Sequence, residues 1–435
     1  MLENQKPAEV REQPAPYVPP FEEPGRPVNL NVDPRHPEKW RRAVTARLAK
    51  VTRRCARCLH DDVVPGIAFG QDGVCNFCRL HDQLDRQYPP GEEGARILAG
   101  LADEIRREGR RKKYDVVVGV SGGCDSSYMI HLARELGLRP LAAHFDNTWN
   151  STIAVENIHN MLKKLDVDLY TYVVDNEEYD DLYRSFFKAG VPDLDNATDI
   201  GLATTLYMAA EKYGIKYIFE GHSFRTEGVS PLGWMYMDAK YIESVQKEYG
   251  TARLRSFPNL WFWSQMKWMV LRRIKKIRPL YYVDYRKAEA KRFLERTYGW
   301  QWYGGHHLEN RITNFVHTYF FPRRFGADQR LNGYSALVRS GQMSREEGLA
   351  KLAEPPKVDF EIVELVKKRL GFTSDEFEEL MELPVKTYRD FKTYKKLFER
   401  LRPLFWVLAR NDLIPRSFYL KYTAKQSPAL SGRTG

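Results

Sequence analysis

From position 114 the apolar residues follow two alternating rhythms. YDVVVGV (114–120) is an unbroken, β-branched run, as a strand buried on both faces requires. Met129, Leu132, Ala133 and Leu136 then recur three and four apart. That spacing lines one face of a helix, and Gly137 supplies its stop. RPLAAHF (139–145) predicts a second strand, and Ala154, Ile158, Met161, Leu162 and Leu165 a second helical face. DLYTYVV (168–174) predicts a third strand. Leu202, Leu206, Ala209 and Tyr213 predict the next helix, ended by Gly214, and IKYIFEG (215–221) a fourth strand. This alternation predicts an α/β fold with a doubly wound parallel sheet covered by helices.

The flanks read differently. Residues 1–38 are rich in proline and charge and lack periodicity, which predicts a disordered arm; 39–50 can form a short basic helix. Beyond about 257 the strand pattern stops. FPNLWFWSQMKWMVLRRIKKIRPL reads as an aromatic helix turning basic at its end, 285–300 as another, and 306–321 and 344–353 as more. The stretch 358–425 is helical in pattern, with breaks at Gly371, Pro384, Pro403 and Pro415. The resulting division is an arm (1–50), a cysteine-bearing segment (51–96), the α/β domain (97–255), a helical substrate or partner region (256–355) and a C-terminal helical extension (356–435).

Composition narrows the setting. No apolar run reaches the length of a membrane span, and the first residues lack a signal-peptide core, so a cytoplasmic location is expected. Four of the five cysteines fall in two C-x-x-C pairs, which suits a reducing compartment and a metal rather than disulfides. The net charge of +11 suits an anionic partner such as a nucleotide, a nucleotide-linked substrate or RNA.

Cys55, Cys58, Cys75 and Cys78 carry the first chemical signal. Sixteen residues separate the two pairs, within the range of a four-cysteine zinc site. A closed shell of four thiolates makes that zinc structural, with no open position for catalysis. The second signal is Ser121-Gly122-Gly123-Cys124-Asp125-Ser126-Ser127, between a predicted strand and a predicted helix. Its glycines let amides approach a phosphate, the helix start adds positive potential, and Ser121, Ser126 and Ser127 offer hydroxyls. Asp125 is a candidate magnesium ligand. The loop lacks the Gly-Lys-Ser/Thr of a Walker loop and the G-x-G-x-x-G spacing; it resembles the loop of PP-loop ATP pyrophosphatases. Cys124 is expected to be a small packed side chain. Ligands of open parallel sheets bind beyond the carboxyl ends of the strands, which adds His144, Phe145, Asp146, Gly221, His222 and Glu227 as candidate nucleotide-binding residues. For His144 a structural role is favoured. Asp146 and Glu227 are carboxylates that need a cation or a sugar hydroxyl beside bound phosphates.

Taken together these segments resemble the N-acetyl sugar amidotransferases of bacterial surface-polysaccharide and nonulosonic-acid pathways. The resemblance rests on RCARCLHDDVVPGIAFGQDGVCNFC (54–78), YDVVVGVSGGCDSSY (114–128), LAAHFDNTWNS (141–151), DLYTYVVDNEE (168–178), YIFEGHSFRTEG (217–228), PLYYVDYRKAEA (279–290), YGGHHLENRITNF (303–315) and RFGADQRLNGYSALVRSGQMSREE (324–347), and covers about 51–353. It implies ATP, Mg2+ and Zn2+ as cofactors, adenylation of an acetamido oxygen, and replacement by ammonia to give an acetamidino sugar. Ammonia is then expected from a separate glutaminase subunit, sometimes with a cyclase-like companion, docking on the zinc knuckle or the basic helical region. Lys240, His306 and Arg311 are expected to join Ser121, Asp125 and Ser126 in catalysis, with Arg225, His307, Arg323 and Arg324 as further groups for pyrophosphate and an acidic sugar nucleotide. Glu309 and Arg311 are alternatively a simple helical pair, and one of the paired histidines a helix cap. Two rivals remain: a tRNA base thiolase of the same superfamily, disfavoured because only Cys124 is left to carry sulfur, and a membrane-associated nucleotide-binding scaffold built on the aromatic and basic helices. No nucleic acid partner and no transmembrane segment are expected.

Overall fold

The computed structural model describes residues 32–231, 234–411, 413–414, 419 and 422–423. The part of the expected arm over 1–31 lies outside them. Five strands form one sheet: β1 Val116–Gly119, β2 Pro140–Asp146, β3 Leu169–Val173, β4 Tyr217–Phe219 and β5 Lys275–Ile277. All neighbours are parallel, in the order β3-β2-β1-β4-β5. Val117 of β1 stands between Leu141 of β2 and Ile218 of β4.

The fifth strand corrects the expectation that strands end before 257. It is three residues long and two of them are lysines, so no apolar pattern announces it. Lys276 tolerates the sheet because its ammonium meets Glu220, at the end of β4, at 2.6 Å. Arg278 reaches the same carboxylate at 3.1 Å.

The helices are α1 Arg35–Ala49, α2 Asn76–Gln87, α3 Gly91–Gly109, α4 Cys124–Glu135, α5 Thr152–Leu165, α6 Asn176–Ala189, α7 Asn196–Lys212, α8 Ala239–Tyr249 and α9 Phe262–Met266. After β5 come α10 Lys287–Tyr298, α11 Arg311–Phe315, α12 Arg330–Arg339, α13 Arg345–Ala353, α14 Phe360–Leu370, α15 Ser374–Glu382, α16 Lys395–Arg400 and α17 Arg402–Arg410. Alternation along β1 sorts them into layers. Val116, Val118 and Val120 pack with Met129, Ile130 and Ala133 of α4, Ile158 and Met161 of α5 and Leu294 of α10. Val117 turns to the opposite face, where Leu206 and Tyr207 of α7, Phe262, Trp268 and Phe405 gather. Both faces are covered, as the continuous apolar run demands.

The aromatic stretch expected to be one helix is α9, a π-helical turn over Lys267–Leu271 and then β5. Trp268 in that turn stacks on Tyr207, with ring centroids 5.1 Å apart and planes at 5°. Trp263, Leu271 and Trp406 remain exposed. A second π-helical stretch, Val316–Phe325, follows α11 without a break and contains Pro322. It receives α1: the Trp40 indole N–H donates to the Thr318 carbonyl at 2.9 Å. The C-terminal end of the expected arm is therefore a docked helix, starting four residues earlier than its sequence suggested. Among the described residues no helix is long and apolar enough to cross a membrane.

Candidate active site

The turn between β1 and α4 is shaped by contact with α5. Gly122 has φ +79, and a Cβ on it would lie 2.2 Å from the Ala154 carbonyl oxygen. Left-handed backbone and close approach together require glycine. The Gly122 carbonyl accepts from the Trp300 indole N–H at 3.0 Å and from the Asn157 amide at 3.2 Å. With that carbonyl tied into the protein, the chain turns into α4, whose N-terminus carries the positive end of the helix dipole. Ser121 Oγ lies 3.2 Å from Ser126 Oγ and donates to Glu309 Oε1 at 3.1 Å. The Ser127 N–H opens the helical ladder, donating to the Gly123 carbonyl at 3.0 Å. Burial pushes the Cys124 thiol up to about 12, so it is a packed side chain and a poor nucleophile.

Beside the turn lies a compact charge cluster. Asp125 Oδ1 accepts from the Tyr285 hydroxyl at 2.5 Å and Oδ2 from Lys287 Nζ at 2.7 Å. Lys287, the first residue of α10, also donates to His306 Nδ1 at 2.9 Å. Burial raises the Asp125 carboxyl, but the Lys287 charge, its hydrogen bond and the Tyr285 hydroxyl outweigh it, and the net direction is down. Burial lowers Lys287, and the charges of Asp125 and then Glu227 outweigh that, so its net direction is up. Both partners therefore stay ionised. Glu227 is pushed well above the usual carboxylate range, by burial and then by the Asp125 charge. Glu309 is raised chiefly by burial, and its Oε2 is buried without a hydrogen-bond partner. Three carboxyl groups thus surround the turn, and Lys287 is the ammonium set among them.

Gly221 brings backbone against the same place: a Cβ there would stand 3.4 Å from the Asp125 carbonyl carbon and the Ser126 nitrogen. His222 is held at both ring nitrogens, by the Tyr281 hydroxyl at 3.0 Å and the Gly228 carbonyl at 3.1 Å. His144 is likewise engaged twice: Nδ1 donates to the Val120 carbonyl at 2.8 Å, which leaves Nε2 to accept from the Asn150 amide at 3.2 Å. Asp146 accepts from the Thr148 N–H at 2.8 Å, closing the turn after β2. The Phe145 side chain points away into the core, edge-on to Tyr179 at 5.8 Å.

Several cations expected at the site are elsewhere. Lys240 lies on α8 with its ammonium 5.8 Å above the Tyr394 ring; Lys287 stands by the loop instead. Arg225 is saturated by Asp85 and by the Tyr281 and Tyr88 carbonyls. Arg323 pairs with Glu378 at 2.6 Å, and Arg324 donates to the Leu380 and Leu383 carbonyls. Arg311 donates its backbone N–H to the Trp149 carbonyl at 2.8 Å, and burial, then the Arg369 charge, lowers its guanidinium. Fold contacts rather than the Ser121–Ser127 turn account for Arg225, Arg323 and Arg324. Tyr285, Lys287 and Glu309 are the residues whose site position the sequence reading did not assign. The first two lie inside 285–300, read from its sequence only as a helix.

The cysteine cluster fits zinc. Its sulfurs stand 3.7–3.8 Å apart across the Cys55–Cys78, Cys58–Cys75 and Cys75–Cys78 pairs. Four sulfurs at about 2.3 Å from a tetrahedral zinc are about 3.8 Å apart. Amides of Arg57, Cys58 and Cys75 point at Cys55 Sγ, and all four cysteines are fully buried. Arg339, at the end of α12, donates to Cys78 Sγ at 3.4 Å, to Cys58 Sγ at 3.3 Å and to His60 Nδ1 at 3.1 Å. The same helix supplies Asn332, whose amide donates to the Glu227 carbonyl at 2.7 Å.

Comparison with known proteins adds context. Residues 309–402 match the family model described as LPS biosynthesis protein WbpG-like, C-terminal domain. This segment starts at Glu309, includes Arg339, and reaches beyond the 51–353 span of the resemblance noted above. The chain is 24% identical over 319 residues to an uncharacterized protein of Methanocaldococcus jannaschii, covering 73% of this chain and 98% of that one. It is 30% identical over 127 residues to the tRNA-specific 2-thiouridylase MnmA of Colwellia psychrerythraea, covering 26% of this chain and 34% of that protein. Among solved structures, an NMN synthetase from Francisella tularensis is 17% identical with a TM-score of 0.26, covering 54% of this chain and 95% of its own. An NH3-dependent NAD synthetase from Campylobacter jejuni, in complex with nitrate, is 11% identical with a TM-score of 0.29, covering 67% and 98%.

Proposed function

Starting from a chain that carries the WbpG-like C-terminal domain behind a parallel α/β sheet, we propose that it is a cytoplasmic ATP-dependent amidotransferase. It converts the acetamido group of a nucleotide-linked N-acetyl sugar into an acetamidino group, in lipopolysaccharide or nonulosonic-acid biosynthesis. The observation that carries this reading is the Ser121–Ser127 turn, closed by Gly122 against Ala154, with the Asp125–Lys287 pair at its side.

An amide carbon is a poor electrophile and its oxygen cannot leave. In the proposed reaction that oxygen attacks the α-phosphorus of ATP, an O–P bond forms, and the bond to the bridging oxygen breaks to release pyrophosphate. Ammonia adds to the resulting imidate carbon; AMP departs with the former amide oxygen, and loss of a proton leaves the amidine. The Ser121 and Ser126 hydroxyls and the start of α4 meet the negative charge growing on pyrophosphate. Lys287 supplies the compact cation, held by Asp125 where it cannot swing away. One preorganised donor of this kind contributes about 3 kcal/mol. Asp125 is the carboxyl that suits a magnesium ion, which when bound would neutralise the triphosphate. Zinc in the Cys55, Cys58, Cys75 and Cys78 cluster is structural.

Ammonia has to come from elsewhere. Cys124 is buried and its thiol raised, and the other four cysteines form the cluster. That supports a separate glutaminase subunit. A second reading, tRNA base thiolation, is favoured by the local identity to a 2-thiouridylase; it requires a reactive sulfur that the buried Cys124 is ill placed to provide. The deciding experiment incubates the protein with ATP, ammonia and UDP- or CMP-linked acetamido sugars. A product lighter by the exchange of O for NH, with AMP and pyrophosphate in equal amounts, supports the proposal. Release of ADP, or adenylation of tRNA with none of the sugars, rejects it.

A further inference from the structure

We propose that Glu227, His306 and His307 bind a first-row transition-metal dication, of the manganese-to-zinc class, beside the phosphate loop. One donor atom from each residue lies within 4.8 Å of the other two. Glu227 Oε2 is 3.9 Å from His307 Nε2, and the two imidazole rings are 3.7 Å apart. Donors about 2.1 Å from a common metal stand about 3.5 Å apart, so small side-chain rotations close the set on an ion.

The backbone points the same way. Neighbouring side chains normally diverge in extended chain. Here His307 has φ +60, a left-handed conformation that strains a residue bearing a Cβ. That twist lets consecutive histidines present their rings to one point. The third donor is fixed independently: the Glu227 N–H donates to the Ser223 carbonyl at 2.9 Å, and its carbonyl is held by Asn332.

Charge and donor chemistry choose the occupant. The ion-pair contacts of Glu227 among the described residues are His222 at 4.0 Å and His307 at 3.9 Å; among those residues no lysine or arginine comes within 4.0 Å of its carboxylate, and the Lys287 charge acts on it from farther off. The Asp125 carboxylate, already paired with Lys287, lies close enough to act on Glu227, and a buried carboxylate without a close cation is stabilised by one. Two imidazoles with one carboxylate select manganese through zinc over magnesium, which prefers all-oxygen shells. His222 is excluded as a ligand because both its nitrogens are engaged. The His306 Nδ1 lone pair already faces positive charge from Lys287; an ion there replaces that hydrogen bond, and Lys287 keeps Asp125. Three protein donors leave positions open toward the phosphate loop, where oxygen atoms of a nucleotide or of water complete the shell.

The test uses the full chain with its knuckle zinc in place and no nucleotide. Titration with Mn2+, followed by electron paramagnetic resonance and by metal analysis, is expected to find one bound ion per chain beyond the knuckle. Pulsed measurements on it are expected to detect histidine nitrogen. His307→Ala and Glu227→Gln weaken binding by more than about tenfold, the least that even an outer-shell loss costs, whereas His317→Gln, next to but outside the set, leaves it unchanged. No ion beyond the knuckle, an oxygen-only shell in the parent protein, or parent-like affinity in both folded variants overturns the proposal. The parent measurement decides the matter even if a variant misfolds, and it is independent of whether any sugar is a substrate.

Discussion

Replacing Lys287 by methionine isolates the Asp125 charge. The ammonium lies 2.7 Å from the carboxylate and both side chains are 13% exposed. At an effective dielectric near 20, charges that close attract by about 6 kcal/mol; part of this offsets their desolvation, and removing one partner of such a pair costs about 3–5 kcal/mol. The stranded carboxyl has an escape, which is to take a proton. From the ordinary value of 3.8, protonation costs about 6 kcal/mol at pH 8 and about 2 kcal/mol at pH 5, at 1.36 kcal/mol per unit. The loss is therefore about 3–5 kcal/mol at pH 8 and capped near 2 kcal/mol at pH 5. The sign follows from linkage. In the parent, Asp125 is depressed, so its contribution is present above 3.8 and is lost as pH falls through the folded value. In the variant the carboxyl is raised, so stability is lost as pH rises. Between pH 5 and 8 the parent's contribution is already complete, so the variant's loss is what widens the gap with pH. Urea denaturation of the parent, Lys287→Met, Asp125→Asn and the double variant at pH 5 and 8 measures this. The double variant is expected to be more stable than Lys287→Met at pH 8, while ATP–pyrophosphate exchange stays down about 100- to 1,000-fold in both. A deficit that ignores pH, or a double variant worse than either single, refutes the buried pair.

Other outcomes follow from single contacts. Gly122→Ala places a methyl 2.2 Å from the Ala154 carbonyl at φ +79; pyrophosphate exchange should fall about 100-fold and the melting temperature should drop, and parent-like values in both would show that the turn is not as described. Arg339→Met removes the guanidinium from Cys58 and Cys78, so zinc should pass faster to a colorimetric chelator, with Arg339→Lys intermediate. Burial, then the Asp199 charge, pushes Asp195 up to about 7. The folded chain thus holds a proton between about pH 4 and 7 that the unfolded chain releases, and stability falls as pH rises across that window. Asp195→Asn should flatten that fall, read from urea midpoints at a series of pH values.

The parts legible in the sequence are those fixed by local pattern. YDVVVGV contains β1 because a run of β-branched residues suits a doubly covered strand, and the four cysteines converge because their spacing is that of two knuckles. The Gly122 turn was legible for the same reason: its shape is local. What escaped depends on distant partners. β5 is hidden because Lys276 is neutralised by Glu220, which lies 56 residues earlier. Lys240 and Lys287 look alike in sequence, and only the position of α10 against α4 puts one of them on Asp125. Glu309, read as a possible helical partner of Arg311, turns to Ser121, 188 residues away. Arg225, Arg323 and Arg324 looked like anion ligands because a guanidinium saturated by carbonyls and carboxylates cannot be told from a free one without the fold.

The guanidinium of Arg339 makes the knuckle more than a clip for the N-terminal segment. If the metal departs, its sulfurs recover protons and the arginine is left as an isolated positive charge in a dry interior, a condition that proteins avoid by rearranging. The helix that bears it also steadies the Glu227 backbone through Asn332. Oxidants or zinc starvation would thus reach the proposed nucleotide site from behind, spoiling the alignment of its acidic wall while the central sheet is still intact.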